Sequence, residues 1–275
     1  MSRIIFLHHV KTGGKTIEKY LLRKFTEQYR KTTTIFKDES LGNIFDILTS
    51  EDSKKISEIN DARAISGHFP FGIHNILGGD SIYMTLLRNP VDRVRSFYAY
   101  SLKNKGSKVY NYLHDNNITF EEFIQLEKKD IVRSNVHELN YVLEDGQAKL
   151  LAGEDILVGE GSTEHLLQHS LNNIERHFGF VGVTELFNDS FIEINKLLGL
   201  HPFNLYIIQN RSNVKVSVTE KHKSIIEERN KIDKTLHSKF FNEIQATADS
   251  TEHKLLKTYL SVALRGVDVY CKIRS

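Results

Sequence analysis

Cysteine occurs once in the 275 residues, at Cys271, and proline three times. A lone cysteine cannot close an internal disulfide, which excludes a disulfide scaffold and fits a reducing compartment. Long apolar runs are also missing. No stretch approaches the roughly 20 apolar residues of a membrane span, so none is expected. The first apolar run, residues 4–7, is too short for the core of a secretory signal, and the fold is expected to start at once. The expected location is the cytoplasm. Excess charge is absent too: 37 Lys and Arg oppose 35 Asp and Glu, for a net +2. That balance gives no reason to expect a nucleic-acid partner. What remains is ordinary soluble composition, 40% hydrophobic and 26% charged, at a length that can bury a large core.

Residues 3–10 form a short apolar run bounded by a glycine turn, the pattern of a buried strand. From residue 15 to about 29 the apolar positions Ile17, Tyr20, Leu21, Leu22 and Phe25 recur at helical spacing. Strand, glycine turn and helix open a βαβ unit. Further short strands are predicted at residues 62–66, 82–87 and 178–183, and a possible fifth at 205–208. Helices are predicted at 91–103, where Pro90 suits the first turn, and at 163–176 and 190–198. A long polar helix is predicted to run to about 244, opened by Ser217 and Glu220 as a capping box. Residues 105–150 read as an insertion of helices and loops. The expected fold is α/β: a P-loop-like core with a mostly parallel sheet flanked by helices, and helical insertions forming the acceptor side. One domain over 1–275 is expected, with its core at about 4–245 and a helical tail at about 251–275.

Three segments carry chemistry, each at the end of a strand. In Lys11-Thr12-Gly13-Gly14-Lys15-Thr16 two glycines let backbone N–H groups approach an anion. The helix start adds positive dipole, and Lys11, Lys15 and Thr16 add side-chain donors. This is a phosphate cradle, against the plainer reading of a turn with solubilising lysines. Arg88 ends the third strand, at the sheet edge where ligands of open α/β folds bind, and Ser96 follows on the next helix. A guanidinium fork and a hydroxyl suit one phosphate group, although both could equally be structural. His68 follows the second strand in Gly67-His68-Phe69-Pro70-Phe71-Gly72-Ile73-His74 and is the candidate general base. His8 and His9 read as packing or pocket-lining residues. The remaining histidines show no metal-ligand spacing.

Together the segments resemble the carbohydrate sulfotransferases of the heparan sulfate 6-O-sulfotransferase type and their bacterial relatives. The resemblance covers about residues 4–245. It implies that the segment from Phe6 to Thr16 binds the 5′-phosphosulfate of 3′-phosphoadenosine-5′-phosphosulfate (PAPS). It also implies that Arg88 and Ser96, within the segment from Leu86 to Tyr98, bind the 3′-phosphate. His68 matches the family's catalytic base. Weaker echoes follow in order: Gln147 to Gly153, Phe180 to Glu185, and Gln209-Asn210-Arg211-Ser212 before the helix with Asn230 and Asp233. Arg211 and Ser212 are expected to add to the nucleotide site. The implied reaction is in-line transfer of a sulfuryl group to a hydroxyl, expected on a saccharide. Lys11 and backbone donors would serve in place of a metal, so none is expected.

Two departures from the family pattern stand out. Asn89 replaces the usual Asp, and Lys15 stands where Thr or Ser is usual. The second raises a rival, because Gly14-Lys15-Thr16 matches the end of a Walker A loop, as in a nucleotide kinase or NTPase. The first Walker glycine would then fall at His9, and no strand ending in a Mg²⁺-binding Asp is evident. A non-catalytic sugar- or nucleotide-binding module is a third reading, one that leaves His68 without a role.

Overall fold

The computed structural model describes residues 2–25, 61–75, 77–134, 136, 139–153, 163–201, 204–207 and 215–273. Four strands, β1 (Arg3–Leu7), β2 (Ala64–Gly67), β3 (Ser81–Leu87) and β4 (Phe178–Val183), form one sheet in the order β2-β1-β3-β4. All pairings are parallel, with Leu7 opposite Gly67 on one side and Thr85 on the other. The expected α/β architecture is therefore the observed one. β1 stops three residues earlier than the apolar run suggests. His8 N still reaches Gly67 O at 2.9 Å, and the chain then turns away toward α1 (Gly14–Phe25).

The chain leaves β1 toward β2 on one side and leaves β3 toward β4 on the other. The carboxyl ends of β1 and β3 are thus a topological switch point, where ligands of open α/β sheets bind. Helices cover both faces. Ile4 and Phe6 pack with Ile17, Tyr20 and Leu21 of α1 and with Phe191 and Ile192. Ile5 and Leu7 face the other way, toward Phe69, Tyr83 and Leu150. Burial on both faces explains why β1 is apolar without alternation.

After β3, α2 (Pro90–Ser101) starts at the predicted proline and is capped by Asn89, whose Oδ1 accepts from Val91 N at 3.0 Å. The insertion is helical: α3 (Lys108–Asp115), α4 (Phe120–Gln125), α5 (Lys128–Ser134), α6 (Asn140–Leu143) and α7 (Gly146–Ala152). Val94, Phe97 and Tyr98 of α2 anchor much of it in a second apolar core with Val109, Phe123 and Val142. α8 (Thr163–His177) and α9 (Phe187–Leu197) flank β4. Residues 205–207 form no strand; among them Tyr206 packs its ring on Phe187 and Phe191. Residue 208 lies outside the described residues.

The predicted long polar helix is two helices, α10 (Glu220–Arg229) and α11 (Lys231–Thr247). Its capping box is Thr219 with His222, not Ser217 with Glu220. The break is at Asn230 (φ −129°, ψ 43°), whose buried side chain bonds both the end of α10 and residues 143 and 145. Its Oδ1 accepts from Asp145 N at 3.0 Å, and its Nδ2 donates to Leu143 O and Ile226 O, both at 2.9 Å.

Around that break two helix starts exchange caps. Asp145 Oδ1 accepts from Ile232 N and Asp233 N, both at 2.9 Å, at the start of α11. Asp233 in turn accepts from Gln147 N at 3.1 Å and Ala148 N at 2.8 Å, at the start of α7. Asp233 also takes Arg93 Nη2 at 3.2 Å, and both side chains are almost fully buried. α12 (Thr251–Ile273) closes the chain against α9, through Leu256, Leu260 and a His253–Asp189 bond of 3.0 Å. No described helix is long and apolar enough to cross a membrane.

Burial, and then the nearby Asp233 charge, push the Asp145 carboxyl up to about 6. The ordinary value is about 3.9, so the folded protein holds this proton more tightly than the unfolded chain does. The contribution of Asp145 to stability therefore falls as pH rises from about 4 to about 6. Asp145→Asn keeps the accepting oxygen and has no such titration. Denaturant unfolding at pH 4, 5, 6 and 7 should show the variant gaining on the native protein across that window and levelling off above it. A difference independent of pH would contradict the assignment.

Candidate functional site

The turn after β1 places two residues in the left-handed region, Lys11 (φ 66°) and Gly13 (φ 80°). For lysine this costs on the order of 1 kcal/mol, and the surroundings hold it there. Thr12 Oγ1 donates to His9 O at 2.9 Å, Thr16 N donates to Gly13 O at 3.0 Å, and Thr184 Oγ1 reaches Thr12 O at 2.8 Å. Gly14 is required for room as well: a Cβ there would run into the His8 imidazole. Lys15 projects into solvent on the first turn of α1, and Thr16 is buried. The Lys11 ammonium rests 4.0 Å above the Tyr100 ring. Burial, and then the charges of Arg88 and Lys15, lower Lys11 to about 8.

Arg88 lies across the switch point from this turn, and its Nη1 donates to Lys11 O at 2.9 Å. The two segments expected from the sequence to bind anions therefore lie side by side. Gln147 clamps the Arg88 peptide: its Oε1 accepts from Arg88 N at 2.8 Å and its Nε2 donates to Arg88 O at 2.9 Å. The same Nε2 lies 3.2 Å from Asp233 Oδ2, joining the clamp to the exchanged caps. Thr184 Oγ1 also bonds Leu87 O at 3.0 Å, and Glu185 accepts from Asn89 N at 3.0 Å. Burial raises the Glu185 carboxyl, but bonds from His237 and Asn89 outweigh it and hold it low. Ser96, half-buried on α2, lies one turn before Tyr100 and so on the Lys11 side of the helix.

His68 directly follows β2 and is solvent-exposed, with its ring against that of His8. Its Nδ1 lies 2.5 Å from His8 O, which makes Nδ1 the protonated nitrogen and leaves Nε2 with its lone pair. Desolvation on the side packed against its neighbours, then the adjacent His8, lower His68 below the ordinary imidazole value despite its exposed edge, so the ring is neutral near pH 7. The other histidines differ. His8 is 3% exposed and donates Nδ1 to Glu18 Oε1 at 2.9 Å. His9 is 1% exposed, and neither ring nitrogen has a partner among the described residues. His74 bonds Tyr83 Oη at 2.9 Å within an aromatic cluster with Phe71 and His177. Arg211 and Ser212 lie outside the described residues.

Of the predicted site residues, the structure brings together Lys11 to Thr16, Arg88 and His68, with Ser96 alongside. Sequence reading underrated Gln147, Thr184, Glu185 and Asp233, which appeared only as weak echoes, and missed Glu18 altogether. A Glu two positions after the loop threonine is an ordinary helix residue until β2 and His8 are seen beside it. Tyr98, at the end of the segment from Leu86, is a packing residue, buried on Phe120 and Phe123 with its hydroxyl on Ile118 O.

The sequence matches the galactose-3-O-sulfotransferase family over residues 1–254. No curated protein matches the chain. The match bears out the carbohydrate sulfotransferase character read from the motifs and corrects the finer likeness to the heparan sulfate 6-O type. It lends nothing to the nucleotide kinase reading. A parallel α/β sheet, a glycine-turn cradle tied to an arginine across the switch point, and this match lead to one assignment: the chain belongs to the galactose-3-O-sulfotransferase family.

Proposed function

We propose that the protein transfers the sulfuryl group of PAPS to a hydroxyl of a sugar, with the 3-hydroxyl of a galactose as the acceptor. One observation carries the reading: the 2.9 Å bond from Arg88 to the Lys11 carbonyl, which joins two anion-binding segments in one crevice. PAPS presents two such groups, a 5′-phosphosulfate and a 3′-phosphate. The N–H groups of Gly13 to Thr16 and the Thr16 hydroxyl suit the first. Arg88 suits the second, because among the described residues its Nε and Nη2 have no protein acceptor, and Ser96 adds a hydroxyl. Lys11 balances charge on the departing phosphate oxygen. His68 Nε2 takes the proton of the attacking hydroxyl. Positioning and electrostatics supply most of the acceleration in a loose transition state of this kind.

Donor choice tests the reading directly. The bisphosphate 3′,5′-ADP should raise the melting temperature well beyond AMP or ADP, and Arg88→Ala should weaken its binding by about 2–5 kcal/mol. Stabilisation by ATP with Mg²⁺ and none by the bisphosphate would overturn it. Assay of sulfuryl transfer to galactosides, with product linkage analysis, tests the acceptor.

The lysines give a second prediction. Lys15 is exposed and Lys11 is held in the crevice. Lys15→Thr should retain bisphosphate affinity and most of the turnover, whereas Lys11→Ala should lose turnover. The opposite ranking would favour a Walker lysine.

His68→Ala should lower kcat by about 10² to 10⁴-fold, with bisphosphate affinity from calorimetry nearly unchanged. Full turnover in that variant would move the proton acceptor elsewhere.

A further inference from the structure

Beneath His68 lies a buried array that the reaction as described does not use. The His8 and His68 rings sit 4.3 Å apart between centroids, tilted by 37°. The His8 carbonyl fixes the His68 tautomer, and the His8 ring lies against Gly14 of the cradle. His8 is itself held by Glu18, at 2.9 Å, on the helix that the cradle opens. Glu18 Oε1 also lies 3.4 Å from the hydroxyl of Ser66, on β2 two residues before His68. The carboxylate thus touches both strands that deliver the histidines.

We infer that Glu18 is a positioning residue for proton transfer: through His8 it fixes the His68 ring, and it supplies the anion that balances the imidazolium formed there. The inference rests on the reading of His68 as the proton acceptor. When the acceptor oxygen bonds to sulfur, its proton moves to His68 Nε2. The bond from sulfur to the bridging oxygen breaks, and its electron pair leaves on the 5′-phosphate of the bisphosphate product. The imidazolium then returns the proton to water at its exposed edge.

A positive ring at this position faces unfavourable company without Glu18. His8 stands beside it, and Lys15 adds positive charge from the start of α1. Glu18 is the one group acting on His68 that is anionic. Burial by itself would raise its carboxyl, but the His8 bond and the charges of His8, His68 and Lys15 keep it below the usual value and ionised. Such balance at a site of developing charge needs no reorganisation during the reaction.

Glu18→Gln tests this at nearly constant size. It should lower kcat about 10- to 100-fold, the scale of a misplaced reacting group, with KM and 3′,5′-ADP affinity within about twofold. The acid limb of kcat/KM should move to lower pH, since His68 loses its balancing charge. Glu18→Asp, which keeps the carboxylate, should recover part of the rate. Long-range ¹H–¹⁵N spectra at pH 7 should show His68 as the Nδ1–H tautomer in the native protein and a mixture of tautomers in Glu18→Leu. Native kcat and pH profile in Glu18→Gln would overturn the inference. So would a loss of rate matched by an equal loss of bisphosphate affinity, the mark of a damaged cradle. If the native protein transfers no sulfuryl group, the reaction reading fails by itself, and the tautomer spectra still judge the coupling of Glu18 to His68.

Discussion

The buried carboxylate of Asp233 holds together parts of the chain that are far apart in sequence. It faces Arg93 on α2, caps the start of α7 and reaches the Gln147 side chain. A buried guanidinium without its partner costs about 3–5 kcal/mol, so Arg93 and Asp233 stand or fall as a pair. Gln147 carries the effect to the crevice by bonding both the N–H and the C=O of Arg88. Two polar bonds, one to the peptide on each side of the Arg88 Cα, fix that residue's direction. The arginine proposed above for the 3′-phosphate is therefore held from behind by Gln147 and Asp233.

The front of the crevice is built differently. Its residues come from the ends of β1, β2 and β3, and short local contacts set their geometry. The left-handed turn at Lys11 points that residue's carbonyl at Arg88, and Thr184 draws Thr12 and Leu87 together with a single hydroxyl. Because Gly14 has no side chain, the His8 ring can occupy the space beside it. The cradle and the His68 ring are consequently linked through the His8 ring between them.

Much of this was legible before any coordinates. The apolar run before Lys11, the glycines after it and the proline after Arg88 mark strand, turn and helix by local physics alone. Family resemblance then gave Arg88, Ser96 and His68 their expected roles. Where reading from sequence fell short, the cause was non-local. The break at Asn230 depends on Asp145 and Leu143, whose approach no periodicity in 217–244 can reveal. Residues 205–207 carry a strand-like pattern, yet the Tyr206 ring satisfies itself against α9 rather than in the sheet. Thr219 took the cap from Ser217 because α10 starts at Glu220, which puts the Thr219 hydroxyl, not that of Ser217, within 3.2 Å of His222 N. Glu18 was silent because nothing in its own helix distinguishes it.

The exchange of caps between α7 and α11 spans 85 to 88 residues of chain. Contacts so distant close late, since loop entropy must be met before they return anything. During synthesis, a chain that has emerged only to β4 already contains the cradle, Arg88 and His68. It lacks the carboxylate that steadies Gln147, and the start of α7 has no cap. The setting of Arg88 is thereby tied to the arrival of α11, so an unfinished chain holds the pieces of the crevice without the means to aim them.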